Sequence, residues 1–339
     1  MSADRDAGDK SVLGGLFTVL SAALFAFNNV STRRGVLSGT TLQGMAITVP
    51  MGVVFFWIAC FAAGSLGAVG AFSWWSIACF SLAGLSHFVF GRYFNYLAIS
   101  AIGTNLASPI QQLELLVTLG LAVVFLGEKL TPIMLVGILL LLLGPALASR
   151  IEPQKAAPAA TKSGKPSFKP RYAEGYACAF LTIFGYGASP IFIRAGLGDG
   201  GLQASLAAGL VSYVAATIVV VAAVLALGQV GHVMATDKTA TRWFLLAGVL
   251  VFLSHMFRYM ALALLPASIV SPIQRIQIIF RIYFAWLIAR DYEVFDRNVI
   301  LGTIVSMLGA ILLSLQSELL TSWLPLPDAI KAYLARGWP

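Results

Sequence analysis

The sequence predicts an all-α polytopic membrane protein with ten transmembrane helices arranged as two inverted five-helix repeats. Of its 339 residues, 59% are hydrophobic and only 11% are charged, whereas an ordinary soluble domain carries roughly 25% charged residues. Ten long apolar runs follow one another along the chain, and the two halves of the chain share polar motifs in the same order. These observations exclude a water-soluble globule.

Each apolar run is close to the 20 or so residues that a helix needs to cross a hydrocarbon layer of about 30 Å. An N-terminal tail, residues 1–11, precedes the first run. It carries three Asp and two basic residues, unlike the basic start of a cleaved signal peptide, so we expect the first helix to remain in the mature protein. The runs cover residues 12–31, 43–63, 74–98, 103–126, 132–149, 174–194, 203–227, 243–264, 267–289 and 297–316.

A segment rich in Pro, Ala, Ser and Lys separates five runs from five and is predicted to be a linker, residues 150–173. It divides the chain into a first repeat, 12–149, and a second repeat, 174–316. Residues 317–339 follow the last run. Asp328 can cap a short amphipathic helix there, so we expect this C-terminal tail to lie on the membrane surface.

The repeats are recognised by matching polar motifs. Ser-Pro-Ile-Gln occurs at 108–111 and at 271–274, and Leu-Ser-His occurs at 85–87 and at 253–255, each followed closely by Arg-Tyr. Because five is odd, the second copy starts on the opposite side of the membrane and must be inverted. Inverted repeats are typical of secondary transporters, whose sites lie near the midplane between the copies.

The first copy also carries Phe-Leu-Gly-Glu-Lys-Leu-Thr at 125–131, followed by a helix with glycines at 137 and 144. With the duplicated topology, this sequence resembles the EamA-type branch of the drug/metabolite transporter superfamily. The second copy has Ala-Arg-Asp-Tyr-Glu at 289–293 instead, where Glu293 is a candidate counterpart of Glu128. The resemblance implies a central cavity between the copies and the transport of small metabolites.

Arginines inside the predicted spans indicate the chemistry of the site. An Arg at mid-helix costs about 2.5–3.5 kcal/mol on insertion scales, so a chain keeps one only with a partner, a wet cavity or a use. Glu114 is the only acidic residue at comparable depth, which leaves a cationic excess. The candidate substrate-binding residues are Arg275, Arg281, Arg258, Arg92, Gln111, Gln274, Gln277, Tyr259 and Tyr93.

Helical spacing places Gln111, Glu114 and Thr118 on one face, and Gln274, Gln277 and Arg281 on the equivalent face of the other copy. Glu114, His87 and His255 are candidates for proton coupling or for a permanent ion pair, and Pro109 and Pro272 for helix breaks or hinges. Two alternatives stay open. Arg92 and Arg258 lie toward helix ends, where Arg can extend to the headgroups, and the glutamines can bond neighbouring helices.

Other chemistries have no support in the sequence. The sequence contains no nucleotide-binding P-loop motif and no metalloprotease or hydrolase motif, so neither an enzyme nor a cofactor or metal site is predicted. The three cysteines lie inside apolar runs, and we predict packing roles for them. A net charge of +8 is scattered rather than clustered, which argues against nucleic acid as a partner. We expect a monomer or homodimer among membrane lipids.

The favoured function is a secondary active transporter, an exporter or exchanger, of a small organic anion or zwitterionic metabolite in a bacterial inner (plasma) membrane. A flippase for an anionic lipid or lipid-linked metabolite is the alternative, and a non-transporting scaffold is a third class. The orientation stays open, because loop charges favour a cytoplasmic linker while the family resemblance implies cytoplasmic termini.

Overall fold

A computed structural model describes residues 2–126, 132–148, 169–198, 201–264, 270 and 273–314. The predicted interfacial tail, most of the linker, Glu128 and Pro272 lie outside the described residues. Those residues that are described are helical or form short turns between helices, with no β-strand among them.

The described residues of the first half form seven α-helices and one π-helical segment. The N-terminal tail predicted from the sequence is part of the first helix, which begins at Ser2 rather than at the start of the apolar run. In order, the elements are α1 Ser2–Gly35, α2 Thr41–Ala62, α3 Leu66–Gly70, α4 Trp74–Gly84, the π-helical segment Leu85–Gly91, α5 Arg92–Gln111, α6 Glu114–Leu126 and α7 Pro132–Ala148.

The described part of the second half also contains long and short helices. They are α8 Tyr172–Leu197, α9 Leu202–Ala226, α10 Val230–Met234, α11 Lys238–Leu264, α12 Gln277–Ile288, a 3₁₀ turn Arg290–Tyr292 and α13 Arg297–Ser314. Six stretches in the described residues are long and apolar enough to cross a membrane, and shorter apolar helices accompany them. The chain is therefore an all-α integral membrane protein.

Local chemistry sets several helix ends. Thr40 and Gln43 form a capping box at the start of α2, with each side chain bonded to the other residue's backbone. Asp237 accepts hydrogen bonds from the amides of Thr239 and Ala240 at the start of α11. These bonds stabilise the ionised carboxylate and hold the pKa of Asp237 below its usual range.

The predicted gap between the third and fourth apolar runs coincides with a break inside α5. Gly103 has φ 80° and ψ 173°, a conformation that favours glycine, so α5 consists of two helical pieces, 92–102 and 104–111. Within the fourth run, a turn at 112–113 separates α5 from α6. Pro109 is buried three residues before that turn.

Helices from the two halves pack against each other along their lengths. The packed pairs include α1 with α11, α2 with α9, and α7 with α13. In the last pair the glycines allow close approach, as predicted: a Cβ added at Gly144 would lie 2.5 Å from the carbonyl oxygen of Gly302. An aromatic cluster of Phe56, Tyr213 and Phe252 fills the contact between α2, α9 and α11.

Candidate functional site

Two matched interruptions of helices meet in the interior. In the first half, the amide of Leu113 bonds the carbonyl of Ile110 at 2.9 Å, and in the second half the amide of Ile276 bonds the carbonyl of Ile273 at 3.1 Å. Both bonds span three residues, which is the tighter winding of a 3₁₀ turn. Each interruption follows a Ser-Pro-Ile-Gln motif, so the repeated sequence produces a repeated break.

Arg275 joins the two interruptions. Its Nη1 donates to Oε1 of Gln112 at 3.0 Å and to Oε1 of Glu114 at 3.2 Å. The Arg275 side chain is 5% exposed and that of Glu114 is 21% exposed. The ion pair that the sequence left open for Glu114 is therefore present, and Gln112 is a contact that sequence reasoning did not identify.

Arg281 lies deeper, on the first turns of α12. Its Nη1 donates to Oγ of Ser108 at 2.7 Å and to Oε1 of Gln111 at 3.0 Å. The residue is 3% exposed, and its Nε has no hydrogen-bond partner in the described structure. Arg281 and Gln111, both predicted from helical spacing, are thus in contact across the two halves.

A chain of amides extends from Gln111 to α1. Gln111 Nε2 donates to Oδ1 of Asn95 at 2.5 Å, and Asn95 Nδ2 donates to Oδ1 of Asn29 at 3.2 Å. Asn29 Nδ2 in turn donates to the carbonyl of Phe25 at 3.1 Å. Polar side chains of α1, α5 and α12 therefore form one network through Arg281, although Asn95 carries no sequence signal apart from being polar inside an apolar run.

The two histidines of the Leu-Ser-His motifs also meet. The rings of His87 and His255 are 5.1 Å apart and nearly perpendicular. His87 stacks on Tyr186 with ring centroids 4.3 Å apart, and Nε2 of His255 has no partner among the described residues. His87 lies in the π-helical segment, a kind of irregularity that is frequent at functional sites.

Arg92 occupies an aromatic pocket beside these rings. It donates to the hydroxyls of Tyr213 at 3.2 Å and Thr48 at 3.5 Å, and its guanidinium lies 5.1 Å from the ring centre of Phe88. Arg92 is 3% exposed. The alternative that Arg92 extends to the membrane surface is therefore not what the structure shows, because hydroxyls and aromatic faces hold it inside.

The other predicted site residues differ from one another in burial and in their contacts. Gln274 is buried and lies 3.4 Å from Oγ of Ser21, and Tyr259 packs edge-on against Phe56. Arg258 and Gln277 are half-buried, with no hydrogen bond from either side chain to another described residue. Tyr93 does not join the group: it is 40% exposed and contacts Phe94, because neighbouring residues on a helix point about 100° apart.

Sequence reasoning missed a second buried ion pair, between Arg33 and Glu293. Arg33 Nε lies 3.7 Å from Oε1 of Glu293, and both side chains are fully buried. From the sequence, Arg33 counts as a loop charge beside Arg34, and Glu293 lies between two apolar runs. The candidate alignment of Glu293 with Glu128 was the one signal that marked this position.

The interior keeps a cationic excess after both ion pairs are counted. Among the described residues, four arginines are buried, at 33, 92, 275 and 281, against one buried carboxylate, Glu293, while Arg258 and Glu114 are half-buried. Arg92, Arg258 and Arg281 form no ion pair with a described residue. Among the described residues, no group of three or more His, Cys, Asp and Glu side chains could hold a metal ion.

Comparisons with known proteins agree with this architecture. One solved crystal structure superposes on 94% of this chain and 99% of its own, with a TM-score of 0.55 and 15% sequence identity, so the likeness concerns the fold alone. No curated protein sequence matches the chain significantly. A model of the EamA-like transporter family matches residues 12–150. Residues 12–150 are therefore similar to the EamA-like transporter family, which is part of the drug/metabolite transporter superfamily.

Proposed function

We propose that the chain is a secondary transporter that moves a small organic anion or zwitterion by alternating access, with its binding site between the two halves. The observation that carries this proposal is Arg281. It is a buried guanidinium that contacts Ser108 and Gln111 but no carboxylate of the described residues. Its Nε has no acceptor there.

The cost of burial is the physical argument. Removing a charge from water costs several kcal/mol even after the protein relaxes, and neutral hydrogen-bond partners recover only part of it. Arg92 and Arg281 both bear this cost without a paired carboxylate among the described residues. An anionic ligand would supply the missing charge, so ligand binding accounts for retaining both arginines.

Ten membrane crossings in two inverted copies are part of the proposal. Three contacts between equivalent positions support it: His87 with His255, α2 with α9, and α7 with α13. A twofold axis in the membrane plane would bring each of these pairs together. In this arrangement the matched interruptions after Gln111 and Gln274 would lie near the same axis, where transporters of this architecture hold their substrates.

The donor set favours a carboxylate or phosphate group. A guanidinium is planar and presents paired donors that match two oxygens of such a group. Arg281 would take the acidic group, with Arg275 and Arg258 beside it. Gln111 and Gln274 would bond polar substituents, because each amide both donates and accepts.

The closed centre supports our proposal of alternating access. Arg92, Arg281, His87 and His255 are each under one-tenth exposed, so a ligand enters only when the halves separate. Arg275 is tied to Glu114 of the other half. In our proposal, an anionic ligand competes with the carboxylate of Glu114 for Arg275.

The experiment is a thermal-shift screen of the purified protein in detergent with phosphorylated, carboxylated and cationic metabolites. A ligand that binds only the folded state stabilises it by about 2.7 kcal/mol at a hundred times its Kd. We expect stabilisation by anions, lost in Arg281→Gln and kept in the control Arg171→Gln, whose guanidinium pairs with Glu174 at the surface. Stabilisation by cations alone, or by anions equally in both variants, would contradict the proposal.

An anionic lipid is the second candidate substrate, on one observation. An apolar groove of about 330 Å³ opens beside the second interruption, lined by Ile273, Ile276, Ile279, Met307 and Ile311. Ile273 and Ile276 lie on either side of Arg275 in the sequence. A headgroup bound at the arginines would therefore lie close to an acyl chain in the groove. Copurification of an anionic lipid that is lost in Ile276→Asn would favour this candidate over a soluble metabolite.

A further inference from the structure

We propose that Arg33 and Glu293 form a buried clasp that positions the helical piece 104–111 and keeps the centre closed on its side of the molecule. This inference rests on the proposed alternating access. Arg33 comes from the end of α1 and Glu293 from the connection between α12 and α13. The clasp therefore joins the two halves of the chain.

Glu293 caps the helical piece that begins after Gly103. Its Oε1 accepts from the amide of Thr104 at 2.7 Å and from Oγ1 of the same residue at 2.9 Å. Its Oε2 accepts from the amide of Asn105 at 3.0 Å. The first amides of a helix have no hydrogen-bond acceptors within the helix. Here a carboxylate from the other half of the chain provides acceptors for two of them.

Arg33 caps the C-terminus of the helical piece 92–102, on the other side of the break at Gly103. Its Nη1 donates to the carbonyls of Ile99 at 2.7 Å and Ser100 at 3.0 Å, and its Nη2 donates to the carbonyl of Tyr292 at 2.7 Å. The first two carbonyls belong to the last turn of the piece 92–102. The third belongs to the residue before Glu293, so Arg33 also holds the connection that carries the carboxylate.

The signs of the two charges match the two helix ends. A helix has a partial positive charge at its N-terminus and a partial negative charge at its C-terminus. The break at Gly103 places one end of each kind side by side, with Glu293 at the N-terminus and Arg33 at the C-terminus. The two residues are therefore not interchangeable, unlike the partners of a simple ion pair.

The capped piece carries side chains of the candidate site. Ser108 Oγ donates to the carbonyl of Thr104 at 2.8 Å and accepts from Arg281, and Gln111 follows one turn later. Moving the N-terminus of this piece away from Glu293 would therefore move the two oxygens that hold Arg281. The clasp acts through Ser108 and Gln111 and touches no ligand itself, so Arg33 and Glu293 are positioning residues.

Hydrogen–deuterium exchange tests the capping role without any ligand. In Glu293→Gln, which loses the charge and one acceptor oxygen, we expect at least tenfold faster exchange in the peptide that contains residues 104–111. Exchange in α9 serves as the internal reference. Glu174→Gln is the matched control, because it removes an exposed ion pair with Arg171. Unchanged exchange at 104–111 in Glu293→Gln would refute the capping role.

Sided labelling tests the gating role. Ser108→Cys is introduced after the three buried native cysteines are replaced by alanine, and an impermeant methanethiosulfonate reagent is added from one side of vesicles at a time. From the side of the α1–α2 connection, we expect labelling several-fold faster with Glu293→Gln and unchanged with Glu174→Gln. Equal rates with and without Glu293→Gln would refute gating by the clasp, whatever the ligand screen shows.

Charge reversal separates the clasp from an ordinary ion pair. The double variant Arg33→Glu with Glu293→Arg restores opposite charges but places each beside the wrong helix end. We expect it to exchange at 104–111 at least as fast as Glu293→Gln does. Recovery of the wild-type exchange rate would show that the charges matter only to each other and would overturn the proposal.

Discussion

Arg275 of the second half donates a hydrogen bond to Gln112 of the first half, and these two residues follow the same Ser-Pro-Ile-Gln motif in their respective copies. Residues at matching positions after the two copies of this motif therefore contact each other directly. The two positions differ in chemistry, since one carries a neutral amide and the other a cation that pairs with Glu114.

The Arg275–Glu114 pair should show measurable coupling. In a double-mutant cycle with Arg275→Gln and Glu114→Gln, we expect a coupling of about 1–2 kcal/mol in unfolding free energy, since a hydrogen bond to a charged group contributes about 1.5–3 kcal/mol and Glu114 is partly exposed. The control cycle of Arg171→Gln and Glu174→Gln, at an exposed pair, should give under about 0.5 kcal/mol. Equal coupling in the two cycles would contradict this prediction.

Replacing Arg281 by methionine should separate stability from function. The variant removes a buried charge that has no described carboxylate partner, and with it a desolvation penalty of several kcal/mol. We expect a melting temperature equal to or above that of the wild type, together with loss of stabilisation by anionic ligands. A clear drop in melting temperature in the absence of ligand would show that Arg281 is a structural residue.

Gly103 should tolerate no side chain. Gly103→Ala adds a Cβ that lies 2.6 Å from Oε2 of Glu293, on a backbone with φ 80°. Gly64→Ala is the matched control, because Gly64 also has a positive φ, 64°, but no atom within 4 Å of the added Cβ. The control should cost about 1–2 kcal/mol for the left-handed backbone, and Gly103→Ala at least about 2 kcal/mol more. Similar losses of stability in both variants would contradict the contact with Glu293.

The stability of the first turn of α11 should depend on pH through the carboxylate of Asp237. Because its pKa is lowered in the folded protein by the amides of Thr239 and Ala240, its stabilising effect is present above the ordinary pKa of about 3.9. That effect is lost as the pH falls through the lowered value. Protection factors of the first turn of α11, measured by hydrogen exchange between pH 6 and pH 3 (about the range of carboxylate titration), should fall. In Asp237→Asn they should not vary with pH.

The helices of the described residues were predictable because apolar runs of membrane length and the two copies of Ser-Pro-Ile-Gln are local patterns. Helical spacing also placed Gln111 and Arg281 on polar faces of their helices. Their hydrogen bond joins residues 170 positions apart, and its existence depends on how the halves pack. The sequence indicated the face and not the partner.

Arg33 and Glu293 could not be paired from the sequence. Arg33 precedes a second arginine near a predicted loop, which is the pattern of topogenic surface charge, and the two residues belong to opposite ends of the chain.

Tyr93 was predicted as a site residue but does not lie in the site. It matches Tyr259 in the repeated Arg-Tyr motif, yet only Tyr259 is buried, and among the described residues a π-helical segment precedes Arg92 but not Arg258.

The π-helical segment Leu85–Gly91 also provides a way for its flanking helices to rotate. A π turn holds one residue more than an α turn, so rewinding it to α geometry would release one residue and rotate the two flanking helices against each other by about 100°. Trp74 and Trp75, which are exposed at the outer end of α4, would then turn relative to Arg92. A spectroscopic probe on either tryptophan would report a backbone rearrangement that begins beside His87.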